Sequence, residues 1–330
     1  MKNSAALIIT NEKRTITRFK YMKIAFMGTP DFSVECLKAL AASKHEVVGV
    51  FCQPDKPVGR KQELKMPDVK IEALKHNFAV FQPKTLKNGA GVEVLKKIEP
   101  ELVIVVAYGK LLPPDFLAYP KYGCINIHAS ILPKYRGASP IHHCVINGDT
   151  ETGVTSMKMD EGLDTGDMLL TEKIPIGIND TTLEMFDKLS ILGADVMMKT
   201  IDKLEKGELE PVKQDDSKAT YAGLLSKDEG LVDWSKSALE IHNKIRGLYS
   251  WPGAFTRLDG KTLKLHKAVL SDEKGNNIPG CIVPVNGKLV VCCGDNKCIE
   301  LKEIQLEGKK RMDSVSFLNG HKLQNGTVLG

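Results

Sequence analysis

An asparagine and a histidine lie two residues apart at the end of a short apolar segment. The segment 124–128 reads Cys-Ile-Asn-Ile-His, with the alternation of a β-strand. Side chains two apart on a strand leave the same face, so Asn126 and His128 are expected to act together. An amide can donate a hydrogen bond to an oxyanion, and an imidazole can relay a proton. The pair therefore favours chemistry at an acyl carbon.

A loop rich in carboxylates offers a partner for His128. Residues 160–167 contain four acidic side chains and lie between segments 153–159 and 168–176, which the sequence predicts to be strands. A carboxylate beside an imidazole orients the ring and supports its positive charge. The spacing alone leaves four candidates open: Asp160, Glu161, Asp164 and Asp167.

Other common chemistries lack their motifs. The turn after the first predicted strand reads Gly-Thr-Pro-Asp at 28–31, which is not the GxGxxG of a dinucleotide site. The sequence contains no GxxxxGK[ST], GxSxG or HExxH. Its eight cysteines include no CxxC pair, so we expect neither a metal site nor disulfides, and reduced thiols predict a cytoplasmic protein.

The elements that must position these side chains alternate between strands and helices. Apolar runs at 23–27, 45–51, 102–107 and 124–128 alternate with helical patterns, and a long amphipathic helix spans 183–204. This alternation predicts an α/β fold with a doubly wound, mostly parallel sheet. Ligands of such sheets bind at the carboxyl ends of the strands, which is where His128 lies.

The 330 residues are enough for two domains, and the composition divides them. Residues 22–206 carry the α/β pattern, and the polar segment 207–226 is the predicted linker. Short strands separated by turns predict a small β-barrel at 227–330. The net charge is +5, and the last segment holds 16 Lys and Arg against 12 Asp and Glu. That excess permits a polyanionic partner.

Two features bear on the location of the protein. The longest apolar run has seven residues, from Leu102 to Tyr108, whereas a membrane helix needs about 20. We therefore expect no membrane association. Residues 1–21 hold five basic residues and one acid, as in a transit peptide or an extension from an upstream start. Because Met22 directly precedes the first predicted strand, we favour the extension and place residues 1–21 outside the fold.

Six ordered motifs from Met22 onward identify a family resemblance. They read KIAFMGTPDFS, VVGVFCQPDKPVGR, VVAYGKLLP, GCINIHASILPKYRGASPI, GDTETGVTSMKMDEGLDTGDML and WPGAFT. Together they resemble the methionyl-tRNA formyltransferases, and the two central motifs are typical of the wider folate-dependent N-formyltransferases. The resemblance implies a doubly wound N-terminal domain and a C-terminal barrel similar to an OB fold.

The resemblance also assigns a reaction and its residues. It implies transfer of a formyl group from 10-formyltetrahydrofolate to the amino group of initiator Met-tRNA, through a tetrahedral intermediate and without a metal. The implied enzyme is a cytoplasmic monomer whose C-terminal barrel binds tRNA. The implied site residues are Asn126, His128 and Asp164 for catalysis, Ser130, Ile131, Leu132 and Pro133 for folate binding, and Arg60 for tRNA binding.

Related reactions remain as alternatives. Formyltransferases that act on glycinamide ribonucleotide or on sugar nucleotides share the Asn, His and Asp residues. The ribonucleotide enzymes, however, are single domains of about 200 residues. A hydrolase that deformylates the folate has a similar two-domain layout, and an inactive RNA-binding protein could keep the fold. The complete catalytic trio argues against the last of these, and the long loop at 53–65 favours a tRNA substrate.

Overall fold

The computed structural model describes residues 21–59, 62–285, 287–324 and 326–330. Arg60 and residues 1–20 of the expected N-terminal extension lie outside these ranges. The first part of the chain contains ten strands: β1 (Lys23–Gly28), β2 (Glu46–Phe51), β3 (Lys56–Val58), β4 (Glu63–Lys65), β5 (Val80–Phe81), β6 (Leu102–Val106), β7 (Cys124–His128), β8 (Arg136–Gly137), β9 (Glu151–Lys158) and β10 (Met168–Pro175).

Seven of these strands form the first sheet. Their order is β5-β2-β1-β6-β7-β9-β10, with parallel pairing from β5 through β7 and antiparallel pairing at β9 and β10. The helices of this part of the chain are α1 (Val34–Ala41), α2 (Asp68–Lys75), α3 (Ala90–Ile98), α4 (Pro114–Leu117) and α5 (Pro140–Ile146), and α6 (Thr182–Lys206) follows β10. The expected doubly wound, mostly parallel sheet is confirmed.

Burial explains why β6 lies at the centre of this sheet. All five of its residues, Leu-Val-Ile-Val-Val, are buried, as expected for a parallel strand with both faces covered. The neighbouring strand β7 places Asn126 and His128 at the carboxyl-terminal edge. Because β7 pairs with this buried strand, its position in the sheet is set by β6, and β7 carries the predicted reactive side chains.

The long helix α6 supports β7 from one face. It begins at a capping box, in which Thr181 accepts from the backbone of Glu184 and the Glu184 side chain accepts in return. It ends at Gly207, whose φ of 70° gives the left-handed conformation that glycine favours. Gly193 faces β7, where an added Cβ would lie in ordinary van der Waals contact with Ile127 at 3.5 Å.

The second sheet is entirely antiparallel. It contains β12 (Ala254–Leu258), β13 (Lys261–Ser271), β14 (Ile282–Val285), β15 (Lys288–Cys292), β16 (Cys298–Leu306) and β17 (Met312–Asp313), following the short β11 (Tyr221–Ala222) of the connecting segment. The order is β12-β13-β16-β15-β14, and β17 pairs with β16. Two helices, α7 (Ala238–Gly247) and α8 (Ser314–Gly320), add Ile241, Ile245 and Phe317 to its core. This arrangement confirms the predicted small antiparallel unit.

The two sheets are joined by direct contacts as well as by the chain. Helix α7 packs against α5, and the hydroxyl of Thr182 donates to the carbonyl of Gly247 at 2.6 Å. The buried guanidinium of Arg246 donates to the carbonyl of Asp180 at 2.9 Å. Both contacts use a group that emerges near the start of α6, so the long helix links the two units.

The connecting segment 207–226 pairs with the first part of the chain at two places. Val212 bridges Met168 of β10, and β11 pairs in parallel with β8. Over the described ranges, no helix combines the length and apolar character needed to cross a membrane.

Candidate functional site

The strand β7 carries two of the predicted reactive side chains to one point. Asn126 is half-buried and His128 is buried, with only 6% of its surface exposed. Both contact the carboxylate of Asp164 from the loop between β9 and β10. The structure therefore brings together the three residues expected to be catalytic.

Of the acidic residues in this loop, Asp164 is the one whose carboxylate contacts Asn126 and His128. Its Oδ1 accepts from Asn126 Nδ2 at 3.4 Å, and its Oδ2 lies 3.7 Å from His128 Nδ1. Its backbone has a φ of 54°, a left-handed conformation that aspartate tolerates better than most residues. The Asp160 carboxylate instead accepts hydrogen bonds from the Gly162 amide and the Thr165 hydroxyl. Asp160, Glu161 and Asp167 are all exposed.

A backbone amide completes the surroundings of the Asp164 carboxylate. The N–H of Gly137, in β8, donates to Asp164 Oδ2 at 2.8 Å. Gly137 has a φ of 118°, and an added Cβ would meet the carbonyl oxygen of Ala222 at 2.6 Å. Only glycine fits where β8 passes this close to β11. The pairing of these two short strands thus aims an N–H at Asp164.

The contact of His128 Nε2 shows which ring nitrogen of the neutral imidazole carries the hydrogen. His128 Nε2 lies 2.9 Å from the carbonyl oxygen of Tyr135. A carbonyl can only accept, so Nε2 carries the hydrogen. The nitrogen that faces Asp164 is therefore Nδ1, which is left to exchange a proton. At 3.7 Å it is within ion-pair range of the carboxylate but too far for a good hydrogen bond.

Tyr135 is anchored on its far side, which holds its carbonyl in place. Its hydroxyl donates to Asp149 Oδ2 at 2.7 Å and accepts from Asn147 Nδ2 at 3.1 Å. Burial, together with the Asp149 carboxylate, raises the pKa of this phenol well above its usual range. The hydroxyl is therefore a fixed donor, and the residue acts as a rigid support for the imidazole of His128.

The segment expected to contact folate follows His128 directly. Ser130 and Leu132 are buried, whereas Ile131 and Pro133 are half-buried. The Ser130 hydroxyl donates to the Lys134 carbonyl at 2.6 Å, so it is used within the turn. The Thr155 hydroxyl donates to the Ser130 carbonyl at 2.8 Å. These bonds hold the turn and leave the Ile131 and Pro133 side chains as its accessible surface.

Two cavities of the described structure are not lined by the trio. One of about 290 Å³ is lined by Ile131, Tyr135, Asp149 and Thr152, among others. Another of about 560 Å³ lies at the end of α6, between Lys121, Lys158 and Leu209. The trio lies at the carboxyl-terminal edge of the first sheet, beside the loops that follow β6, β7 and β9. Within the described residues, no cluster of three or more His, Cys, Asp or Glu could hold a metal ion.

Arg60 lies outside the described residues, but the loop that carries it has a described base. The strands β3 and β4 form an antiparallel hairpin on either side of it. At the base, Gln82 Nε2 donates to Asp55 Oδ1 at 2.7 Å and Lys70 Nζ to Asp55 Oδ2 at 2.8 Å. The hydrogen bond from Gln82 and then the one from Lys70 lower the pKa of Asp55. The hairpin therefore leaves the sheet from a charged, hydrogen-bonded base.

Sequence reasoning missed two polar residues behind Asp164. Gln214, in the connecting segment, donates to the Asp164 carbonyl at 2.8 Å and to the Gly166 carbonyl at 2.7 Å. Arg136, in β8, donates to Gln214 Oε1 from Nε at 3.0 Å and from Nη2 at 2.8 Å. Both side chains are buried. A buried glutamine in a polar segment 50 residues from Asp164 leaves no periodic signal by which to find it.

Comparisons with known proteins match almost all of the described chain. The formyl transferase family matches residues 22–201, and the formyl transferase C-terminal domain matches residues 224–322. A methionyl-tRNA formyltransferase from Alkaliphilus oremlandii is 47% identical over 94% of this chain and 100% of the relative. One from Lachnospira eligens is 48% identical over the same shares of the two chains.

Solved structures share the fold at lower identity. An N-formyltransferase from Helicobacter canadensis, solved with folinic acid and dTDP-3-aminofucose, has a TM-score of 0.66 at 21% identity and covers 85% of this chain and 98% of its own. The methionyl-tRNA formyltransferase from Clostridium thermocellum has a TM-score of 0.53 at 18% identity, covering 77% and 95%. The high identity of the first relatives over their whole length decides the assignment: the chain belongs to the methionyl-tRNA formyltransferase family.

Proposed function

We propose that this protein transfers the formyl group of 10-formyltetrahydrofolate to the amino group of methionine on the initiator tRNA. The observation that carries the proposal is the Asp164 carboxylate, which contacts both the Asn126 amide and the His128 imidazole. An amide donor and an imidazole whose charge is supported by a carboxylate form a site for an oxyanion and a proton relay. Formyl transfer between two amines requires both.

The reaction is a direct transfer. The methionyl amine attacks the formyl carbon, a C–N bond forms, and the carbonyl oxygen becomes an oxyanion that Asn126 Nδ2 and protonated His128 Nδ1 stabilise. Collapse breaks the bond between the formyl carbon and N10 of the folate. His128 Nδ1 gives its proton to N10 as this bond breaks and then takes up the proton that the attacking nitrogen loses, and Asp164 supports the positive charge of the protonated ring.

The thiols of β7 and α5 and the Ser130 hydroxyl favour direct transfer over a formyl-enzyme. Burial raises the pKa of the Cys124 thiol to about 12 and that of Cys144 to about 11, so both are protonated at neutral pH. The Ser130 hydroxyl is bonded within its turn. A protonated thiol and an engaged hydroxyl are poor nucleophiles, so the amine of the acceptor is the group that attacks the formyl carbon.

The loops at the carboxyl edge of the first sheet fit a flat, partly apolar donor. Met159, directly before the acidic loop, packs on the apolar cluster that contains Leu112 of the loop after β6. Leu111 and Leu163, on these two loops, are exposed. Exposed apolar side chains suit a pteridine ring, and structures of this fold were solved with tetrahydrofolic acid and folinic acid.

The second sheet and the hairpin favour a tRNA acceptor. The C-terminal third carries the basic excess, as phosphate contacts require. The hairpin formed by β3 and β4 rises from the same edge as the trio and carries Arg60 between its strands. We propose that both contact the tRNA. The trio and its partners all come from one chain, so we also propose a monomer that works in the cytoplasm, where tRNA is charged.

The test is a formyl-transfer assay with a panel of acceptors. The purified chain receives 10-formyltetrahydrofolate with charged initiator Met-tRNA, glycinamide ribonucleotide, a dTDP-amino sugar, or water alone. We expect a formylated product with the charged tRNA only. Formylation of one of the small acceptors instead, or deformylation of the folate in water at a comparable rate, would contradict the proposal.

Arg60 is expected to act on the tRNA and not on the folate. Replacement of Arg60 by alanine should raise the KM for Met-tRNA by about tenfold, because a buried or bidentate phosphate contact contributes roughly 1.5–3 kcal/mol. The folate KM should stay within twofold. Arg60→Lys, which keeps the charge, should be intermediate, and Lys96→Ala on α3 serves as a remote control. An equal rise in both KM values would show that the hairpin supports the folate site instead.

A further inference from the structure

The connecting segment 207–226 places one buried amide directly behind the acidic loop. Gln214 has 5% of its surface exposed, and its Nε2 donates to the carbonyls of Asp164 and Gly166. These two bonds join the connecting segment to the backbone of the acidic loop, next to the carboxylate that contacts His128. The family motifs that suggested the reaction do not include Gln214.

Arg136 fixes the orientation of this amide. The guanidinium can only donate, so the atom that it contacts at 2.8 and 3.0 Å is the amide oxygen of Gln214. Both amide hydrogens must then point away from Arg136 and toward the two loop carbonyls. Arg136 is held in turn by Asp216, whose Oδ1 accepts from Nη2 at 2.7 Å. Each polar atom of the Gln214 side chain is therefore satisfied.

The acidic loop needs such an anchor. Asp164 has a left-handed backbone, with a φ of 54°, which costs free energy for any residue other than glycine. Two other hydrogen bonds in the loop are local, from Gly162 and Thr165 to Asp160. The Lys158 amide of β9 donates to the Asp167 carbonyl at 2.9 Å at the end of the loop, and the bonds from Gly137 and Asn126 reach only the side chain of Asp164. A strained conformation persists only where its surroundings fix it. The two bonds from Gln214 act on the backbone at the strained residue.

We propose that Gln214 is a positioning residue for the formyl-transfer reaction and holds Asp164 at the distance from His128 that catalysis requires. This inference rests on the proposed function, since it assumes that the Asp164 carboxylate supports His128. In this proposal the connecting segment positions a catalytic carboxylate in addition to joining two domains. Its pairing through β11 and Val212 places the glutamine, and the glutamine places the carboxylate.

The expected consequence of Gln214→Met is a fall in kcat of about 10- to 100-fold. A displacement of a catalytic group by about 1 Å can cost 100-fold. The KM values for Met-tRNA and 10-formyltetrahydrofolate should stay within about threefold, because the amide does not contact either substrate. Gln305→Met is the matched control, since Gln305 also donates to a backbone carbonyl, that of Lys309, but in the second sheet. It should leave kcat within twofold.

A second variant guards against misfolding. Gln214→Glu keeps the size of the side chain and the oxygen that Arg136 contacts, but it turns an oxygen toward the carbonyls of Asp164 and Gly166. It should lower kcat at least as much as the methionine. Hydrogen exchange of the loop peptide 160–167 gives a readout independent of activity: it should become faster in both Gln214 variants and not in Gln305→Met.

A double-mutant cycle separates positioning from a general structural role. In a single-turnover assay with excess enzyme, Gln214→Met is combined with Asp164→Asn. If the glutamine acts through Asp164, its effect should shrink to less than threefold in that background. The same loss in both backgrounds would overturn the inference, as would Gln214 variants with wild-type kcat. If Asp164→Asn itself keeps full activity, the proposed role of Asp164 fails instead.

Discussion

Replacing Asn126 with alanine is expected to lower kcat by about 100- to 1,000-fold. Loss of one oxyanion donor costs about 2.7–4 kcal/mol in the barrier of acyl transfer. Asn126 Nδ2 carries two hydrogens, and only one is directed at Asp164. Among the described residues the other hydrogen has no acceptor, so it can be donated to the oxygen of the formyl group. Substrate affinity should change little, because the bond strengthens only as the oxyanion forms.

The measurement is the saturated rate of formylation of charged initiator Met-tRNA. Asn276→Ala is the control, because Asn276 also uses its amide as a donor, to Cys281 Sγ in the C-terminal unit. It should stay within twofold of the wild-type rate. An Asn126→Ala enzyme within threefold of wild type would remove the oxyanion role from Asn126.

Asp164→Asn is expected to have the largest effect, a loss of roughly 1,000-fold in kcat. A comparable change in a serine protease lowers kcat about 10,000-fold through the wrong histidine tautomer. Here the Tyr135 carbonyl already fixes the hydrogen on His128 Nε2, so the tautomer is kept. The loss comes instead from removing the negative charge 3.7 Å from Nδ1, which supports the protonated ring.

Asp160→Asn provides the matched control for this change. Asp160 belongs to the same loop and is exposed, and the described donors to its carboxylate, Gly162 and Thr165, lie within the loop. The variant should retain at least a third of the wild-type kcat. If both variants lost activity equally, the acidic loop would matter for its fold or its overall charge, and the specific role of Asp164 would be wrong.

Much of the fold follows from the sequence because its signals are local. The five apolar residues of β6 predict a strand with both faces covered, and the alternation at 124–128 predicts β7. Parallel strands separated by helices leave few arrangements, so the edge that carries Asn126 and His128 follows too. The amphipathic pattern predicts a helix at 183–204, and the helix spans Thr182–Lys206 because its capping box and Gly207 add a residue or two at each end.

The acidic loop shows where local signals end. Asp160, Glu161, Asp164 and Asp167 have the same chemistry, and an irregular loop has no period that says which one faces His128. In the structure, the left-handed backbone at Asp164 and the Gly137 amide that donates to its carboxylate direct this residue toward His128. Both depend on contacts between segments far apart in the chain, so the family resemblance selects Asp164 where spacing does not.

The connecting segment shows a second limit. Its polar composition predicts a linker between domains, and the segment does join the two sheets. Composition gives no sign that Gln214 is buried or that β11 pairs with β8. A buried amide is stable there because Arg136 and two carbonyls satisfy it, and those partners lie in other parts of the chain.

The most direct test of the central claim follows the formyl group during one turnover. Enzyme in excess is mixed with 10-formyltetrahydrofolate labelled in the formyl carbon and with charged initiator Met-tRNA, then quenched at intervals. Label is counted in the folate, protein, tRNA and free formate. Direct transfer predicts that label leaves the folate and enters formylmethionyl-tRNA at the same rate, with none on the protein. Label that passes through the protein, or that appears as formate while the charged tRNA stays unformylated, would contradict it.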